Sequence, residues 1–291
     1  MIRRYIKSSL SQDFIAGVTG AVAGAPQAMG FAIIAGVSPI FGLYTAFIGT
    51  IIGAIAASST FMTIAPTNAL ALVVFSTLGQ FDDGSDPISR LMVLTLLVGV
   101  FQVGFGVLRL GSLTRFVSNA VMTGFITGAG LLIIMGQLDH ITGVHATGST
   151  PIGRFFDWLS KFPQSDPETT IIGVVSIIII YTLHHTRFKS IATLVAILVT
   201  TIFVTVAGWD SVALVLDMGA IPSGIPTPTL PDPSLIPELI AAAFAMSLLA
   251  SVQGAGITEN IPQPDGTTAN VNRDFIGQGL ANLGSAFLQG L

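Results

Sequence analysis

Cysteine is absent from the 291 residues, which excludes disulfides and thiolate metal sites and leaves the redox compartment unread. Charge is nearly as scarce. Asp, Glu, Lys and Arg make up 9% of the chain, against roughly 25% in an ordinary soluble domain, too few to build a water-facing surface. Ionisable residues are missing from the interior of most apolar runs, where only Asp13 and Glu238 come near the ends. Proton relays in pumps are built from buried Asp, Glu or His, so the chain lacks the usual parts for one. No nucleophile motif, nucleotide-binding loop, zinc spacing or basic stripe is present. Those gaps argue against an enzyme, a cofactor and a nucleic-acid partner.

What is abundant is apolar sequence: 51% hydrophobic residues and a mean hydropathy of +0.81. It falls in blocks centred on Ile15 to Ala35, Ile40 to Ala57, Pro66 to Leu78, Leu91 to Leu108, Phe116 to Leu138, Ile171 to Leu183, Ile191 to Ala207, Leu235 to Ile257 and Phe275 to Leu291. About 20 apolar residues cross the roughly 30 Å hydrocarbon core, so these blocks predict a polytopic all-α membrane protein. Between them lie the acidic turn Asp82-Asp83-Gly84-Ser85-Asp86-Pro87, a polar stretch from Asp139 to Glu168, and a proline-rich run from Pro222 to Pro237. The basic start up to Lys7 looks like the flank of a signal peptide but is expected not to be one, because Asp13 interrupts it and Pro26-Gln27 stands in the apolar run. It reads as a short amphipathic arm before a retained helix.

With the N-terminus in the cytoplasm, Arg3, Arg4, Lys7, Arg109, Arg115, Arg187, Lys189 and Arg273 collect on that side, leaving Arg90, Arg154 and Lys161 outside. Most of the acidic residues, Asp82, Asp83, Asp139, Asp217 and Glu238 among them, fall outside. This is the bias of a multi-pass protein of a cell (inner) membrane. His184-His185 beside Arg187 and Lys189 reads as an interfacial basic cluster, and His140 and His145 fall in the polar outer loop.

The third block is unlike the rest. Thr60-Phe61-Met62-Thr63-Ile64 alternates like a short strand, and Pro66-Thr67-Asn68 then opens an apolar run too short to span alone. Pro suits the first turn of a helix, and Thr and Asn cap free N–H groups, so a helix is expected to begin in mid-membrane. Its N-terminus would offer unpaired donors and a partial positive charge to an anion. The same residues also fit a tilted helix with a proline kink. Gly20-xxx-Gly24, Gly49-xxx-Gly53 and Gly124-xxx-Gly128 are spacings that let backbones approach. Laying the eighth block on the first brings Gln253 onto Gln27, and laying the ninth on the second brings Gly277 and Gly284 onto Gly42 and Gly49, a faint internal repeat.

Several runs carry a resemblance: Arg3-Arg4-Tyr5 to Asp13-Phe14-Ile15-Ala16-Gly17, Pro26-Gln27-Ala28-Met29-Gly30-Phe31-Ala32, Pro39-Ile40-Phe41-Gly42-Leu43-Tyr44, Ile64-Ala65-Pro66-Thr67-Asn68, Gly124-Phe125, and Arg273-Asp274-Phe275-Ile276-Gly277-Gln278-Gly279-Leu280-Ala281-Asn282. Together they resemble the SulP sulfate-permease family across essentially the whole chain. The resemblance implies part of a 7+7 inverted-repeat transporter, with a broken third helix preceded by a short strand and an anion site between two half-helix N-termini. On that plan residues 1–12 are the arm, 13–207 the first repeat, 208–234 an outer linker and 235–291 the start of the second repeat. Ala286 to Leu291 resemble the lead-in to the second half-helix, which, with later helices and a cytoplasmic STAS domain, is expected beyond them.

By the same resemblance Gln27 faces the anion, Phe31 stands where many members have tyrosine, and Thr67, Asn68 and Ala69 open the half-helix. Gln253 occupies a position where proton-coupled members often carry glutamate; glutamine does not titrate, which favours sodium-coupled, exchange or facilitated modes over proton coupling. The implied activity is secondary active transport of a sulfate-like anion, bicarbonate or a small dicarboxylate. The implied partners are that anion, the bilayer, a coupling ion (Na+ or H+) and, for the full-length protein, a second copy in a homodimer. Gln27 and Gln253 also fit plain helix-bridging hydrogen bonds, Phe31 core packing, and Thr67 and Asn68 simple caps. A nucleobase permease of the same architecture, an anion channel or motor-like protein, and a truncated product are the other readings.

Overall fold

The computed structural model describes residues 10–60, 62–81, 86–112, 119–147, 150–186, 188, 191–214, 227–260, 263, 266 and 269–290. The first nine residues, Phe61, Asp82, Asp83, Arg115, Arg187, Lys189 and Asp217 lie outside them, so part of the basic bias and the arm are not described. The described helices are α1 (Leu10–Ile34), α2 (Pro39–Ala56), α3 (Asn68–Leu78), α4 (Pro87–Val107), α5 (Asn119–Thr142), α6 (Pro151–Lys161), α7 (Pro167–His184), α8 (Ala192–Ala207), α9 (Ile236–Asn260) and α10 (Val271–Phe287). Among the described residues, four helical stretches, Pro39–Ala56, Pro87–Val107, Pro167–His184 and Pro233–Gly256, are long and apolar enough to cross a membrane.

Starts are written in the sequence. Asp86-Pro87, Thr150-Pro151 and Asp166-Pro167 each place an acceptor side chain at the N-cap and Pro in the first turn; the caps receive the amides of Ile88, Gly153 and Thr169. Asn270 caps α10 by accepting from the amides of Asn272 and Arg273. α1 runs unbroken through Pro26.

α4 is the axle. Leu91, Val93 and Leu94 are buried in succession, as expected of a helix surrounded on all sides. α10 lies against it where Gly99 and Gly279 meet: a Cβ on Gly279 would stand 2.6 Å from the Val103 amide nitrogen and 2.7 Å from the Gly99 carbonyl oxygen. On its other side α10 packs on α2, with Gly277 against Ala57 and Gly284 against Ile52. α9 meets α4 through Phe244, whose ring sits edge-on to Phe101 and Phe105 at 5.3 and 5.9 Å. α1 meets α2 at Gly42, which abuts the Ala28 carbonyl. Of the expected small-residue spacings, only Gly49-xxx-Gly53 is a close approach, Gly53 lying against Ile64; Gly20, Gly24, Gly124 and Gly128 face open space.

Two packed groups result. α1 to α4 with α9 and α10 form one, α5 to α8 the other, and they meet chiefly where α3 touches α5 and α1 touches α8. Arg154 of α6 also crosses this seam: it pairs with Asp139 of α5, and its guanidinium lies 5.3 Å from the ring centre of Phe75 on α3.

Three expectations are corrected. The alternating segment before Pro66 is not a strand: Met62 to Thr67 has no regular secondary structure and no ladder partner among the described residues, and its contacts are single bonds such as the one Thr50 Oγ1 donates to the Ile64 carbonyl (3.1 Å). The polar stretch from Asp139 to Glu168 contains a whole helix, α6. His140 stands in the last turn of α5 rather than in a loop.

Candidate functional site

α2 ends at Ala56 and α3 starts at Asn68, and the described residues between them, 57–60 and 62–67, are off any helical course. α3 has 11 residues, about 16 Å at 1.5 Å per residue, half of the roughly 30 Å needed to cross. A helix of that length with one end at a membrane surface has its other end near the bilayer midplane, where irregular backbone is tolerated only in contact with protein or a cavity.

A cavity of about 80 Å³ is there, room for a few water molecules or one small solute. Thr67 and Leu70 of the α3 start, Thr45 of α2, Thr95 of α4, and Asn282 and Ser285 of α10 contribute to its lining, which among the described residues includes no ionisable side chain. Two of the four hydroxyls are used within their own helices: Thr45 Oγ1 donates to the Phe41 carbonyl (2.8 Å) and Thr95 Oγ1 to that of Leu91 (2.9 Å). The other two, Thr67 Oγ1 and Ser285 Oγ, are buried without a hydrogen-bond partner, an arrangement that invites a ligand or water.

The helix start itself holds further donors. Thr67 is the N-cap, at φ −123° and ψ 148°, but its side chain caps nothing. The Ala69 amide is taken by Asn68 Oδ1 at 2.7 Å, and the first ladder bond runs from the Ala71 amide to the Thr67 carbonyl at 2.9 Å. The amides of Asn68 and Leu70 precede that ladder, the usual position of free helix-end donors. Such an end is worth about 0.3 to 2 kcal/mol toward an anion.

The walls are fixed by an amide relay. Asn282 Nδ2 donates to Gln102 Oε1 (2.6 Å), Gln102 Nε2 to Gln278 Oε1 (3.0 Å), and Gln278 Nε2 to the Met62 sulfur (3.5 Å), tying α10, α4 and the extended segment together. Below it Asp274, 1% exposed, gathers the entry to that segment. Its Oδ1 accepts from the Ser58 amide (2.6 Å), Ser58 Oγ (2.8 Å) and the Ser59 amide (3.0 Å), and Oδ2 accepts from Thr258 Oγ1 (2.8 Å). Buried charge is thus commoner than the sequence led us to expect, with Arg90, Asp139 and Asp274 all enclosed near helix ends. Each has a polar partner: Arg90 pairs with Glu238 at 3.5 Å, and Asp139 with Arg154.

Of the residues singled out from sequence, Thr67 lines the cavity and Ala69 is buried just behind it. Asn68 is exposed at the same helix start. Gln27 is exposed on α1, Phe31 packs part-buried against the main hydrophobic core, and Gln253 is half-buried on α9; none of the three lines the cavity. Sequence reasoning missed Ser285, Asn282, Thr45 and Thr95. For α10 a signal exists, since Asn282 and Ser285 stand three apart and so share a helix face. No group of three or more His, Asp or Glu side chains with metal-holding geometry occurs among the described residues.

A short helix that starts inside a packed bundle, beside an uncharged and mostly apolar cavity with a few hydroxyls, directs attention to membrane transport proteins, and sequence comparison decides among them. The model of the sulfate permease family matches residues 10–291. The chain belongs to that family. It is a family of permeases rather than enzymes, and this member is a multi-pass, all-helical membrane protein. The chain is 30% identical to the chloroplastic sulfate transporter 4.1 of Arabidopsis thaliana, over 94% of its own length and 42% of that protein. It is 32% identical to the putative sulfate transporter YbaR of Bacillus subtilis (strain 168), over 97% of its length and 54% of that protein. It spans about half the length of these curated relatives. Its fold superposes on the transmembrane domain of a cyanobacterium bicarbonate transporter, BicA, with a TM-score of 0.84 at 24% identity, covering 98% of this chain and 74% of that one. The murine Solute Carrier 26 family member A9 anion transporter in the inward-facing state also matches at 0.84, with 20% identity, 98% of this chain and 51% of that one.

Proposed function

We propose that this chain is part of a secondary transporter that moves an inorganic or small carboxylate anion by alternating access, holding it at the N-terminus of α3. The observation that carries the reading is the helix that begins at Asn68 with Thr67 Oγ1 buried and unpartnered beside the cavity. The relatives' names point the same way, being sulfate transporters, a bicarbonate transporter and an anion transporter. With no cationic side chain in the lining, binding rests on oriented dipoles and hydroxyls, which keeps it weak enough to release. Gln27, Asn68 and Gln253 are offered as further contacts of the anion as the binding surface closes, with Phe31 and Ala69 shaping it. The two helix groups supply the moving parts: α3 travels with the first group, while α5 to α8 act as the scaffold.

The proposal includes a first repeat over 13–207 and a partial second one over 235–291, an N-terminus in the cytoplasm, and a homodimer at full length with Na+ as the better candidate coupling ion, since Gln253 does not titrate. Uptake into proteoliposomes of labelled sulfate, bicarbonate and dicarboxylates tests it, with uracil as competitor. Saturable uptake of at least one anion, insensitive to uracil and reduced by Thr67→Val, is expected. Linear flux without saturation, or uptake blocked by uracil with no anion carried, would overturn it.

A further inference from the structure

α6 has no place among the membrane-crossing helices. Its 11 residues reach about 16 Å, and its residues separate cleanly by face. Ile152, Phe156 and Leu159, at i, i+4 and i+7, are 51%, 62% and 55% exposed, and Phe162 continues the row. The opposite face is polar and tied inward: Arg154 pairs with Asp139, Asp157 accepts from Lys161 Nζ (2.8 Å) and the Thr147 amide (2.7 Å), and Lys161 Nζ also donates to the His145 carbonyl (3.3 Å). An amphipathic helix in a soluble protein turns its apolar face to the core. Here the polar face is turned to the protein and the apolar face outward.

The position of α6 identifies what covers that face. The Asp166 amide donates to the Thr142 carbonyl at 2.9 Å, so the end of α5 and the start of α7 lie side by side, at one surface of the membrane. α6 joins those two ends and is pinned to them by Trp158 Nε1, which donates to Thr142 Oγ1 at 2.9 Å. The neighbouring α7 has no buried residue and presents Ile171, Val174 and Ile178 outward, as a helix bathed in acyl chains does. The apolar row of α6 continues that surface, and its aromatic content, with Phe155 and Phe162 against Trp158, suits the boundary between headgroups and acyl chains.

We infer that α6 is a membrane-surface helix, lying in the interfacial plane with Ile152, Phe156, Leu159 and Phe162 immersed in lipid. It anchors the α5 to α8 group at a fixed depth, so that relative motion of the two groups is carried by the other one. The inference concerns a lipid contact and stands whether or not an anion is carried.

The absence of native cysteine allows a direct test. Phe156→Cys and, as the polar-face control, Lys161→Cys are spin-labelled in the protein reconstituted into phosphatidylcholine vesicles, and the accessibility of each label to oxygen and to a water-soluble nickel chelate is measured. At 156 the oxygen-to-nickel accessibility ratio is expected to exceed that at 161 several-fold. A label at 156 open to nickel would place the face in water, and one shielded from both reagents would place it against protein, such as a second copy; either result overturns the inference. Leu159→Cys reads the same face should Phe156→Cys fail to fold.

Discussion

Asp274→Ala should be among the most damaging single substitutions outside the cavity, and the four bonds it accepts set the size of the effect. Removing the carboxylate leaves the amides of Ser58 and Ser59 without their acceptor, while Ser58 Oγ retains a bond to the Asn270 carbonyl (3.1 Å) and Thr258 Oγ1 one to the Gly254 carbonyl (3.1 Å). A fully buried stranded amide costs about 1 to 3 kcal/mol, and these two are part-buried, so the pair costs at most about 2 to 6 kcal/mol. Asp274→Asn is a gentler change. Its carbonyl oxygen replaces Oδ1, and its amide donates to Thr258 Oγ1, which still donates to Gly254. Only the charge-assisted part of the bonds is lost, offset by burying no charge, so a cost of about 2 kcal/mol or less is expected. Thermal unfolding in detergent followed by helical circular dichroism gives the ranking: native, then Asn, then Ala. If Ala were as stable as the native protein, or more stable than Asn, the assignment of Asp274 as the clasp of the Ala57 to Ser59 turn would be wrong.

Gly279→Val should separate α10 from α4, because its Cβ would fall 2.6 Å from the Val103 amide nitrogen, an overpacking worth about 1 to 3 kcal/mol or more. Gly124→Ala, which meets no atom within 4 Å, should be neutral or stabilise by up to about 1 kcal/mol, and the same unfolding assay separates the two. At the cap of α7, hydrogen bonds from the Thr169 side chain and then from its amide hold the Asp166 carboxyl below its ordinary 3.8. A depressed carboxyl stabilises the fold above its unfolded value and loses that contribution as pH falls through the folded one. Exchange of the Thr169 amide should thus be steady, once corrected for intrinsic rates, from neutral pH down to about 4, and gain protection loss only below it. Asp166→Asn should remove that acid-dependent step.

Each of the nine apolar blocks overlaps a described helix, and the four described stretches long and apolar enough to cross were legible because a spanning helix leaves a signal about 20 residues long. The break before Asn68 was legible too from Pro66-Thr67-Asn68, although Pro66 stands before the N-cap rather than in the first turn, Thr67 holds the cap position without a side-chain bond, and only Asn68 Oδ1 receives an amide, that of Ala69. α6 escaped because its polar residues outnumber what a hydropathy reading tolerates; only the period of Ile152, Phe156 and Leu159 reveals it. The alternation from Thr60 to Ile64 suggested a strand, but alternation specifies a face, whereas a strand also needs a neighbour to share its ladder, and none of the described residues supplies one. Gly20 and Gly124 show the same limit, for small-residue spacing permits an approach without naming a partner. In the cavity, Thr67 was legible from its cap position. Ser285, Thr45 and Thr95 were not, because a lone hydroxyl in an apolar helix ordinarily returns to its own backbone, as Thr45 and Thr95 do. Only the packing shows that Ser285 Oγ is left over.

The account turns on whether the start of α3 receives an anion. Solid-state NMR of the reconstituted protein, with the amides of Thr67, Asn68 and Leu70 assigned, measures this directly as sulfate or bicarbonate is titrated. Saturable shifts of the Asn68 and Leu70 amides, weakened by Thr67→Val and absent from the distant α7, are expected. Amides at Asn68 and Leu70 that stay unmoved by every anion offered, in a protein whose helices are intact, would contradict the account.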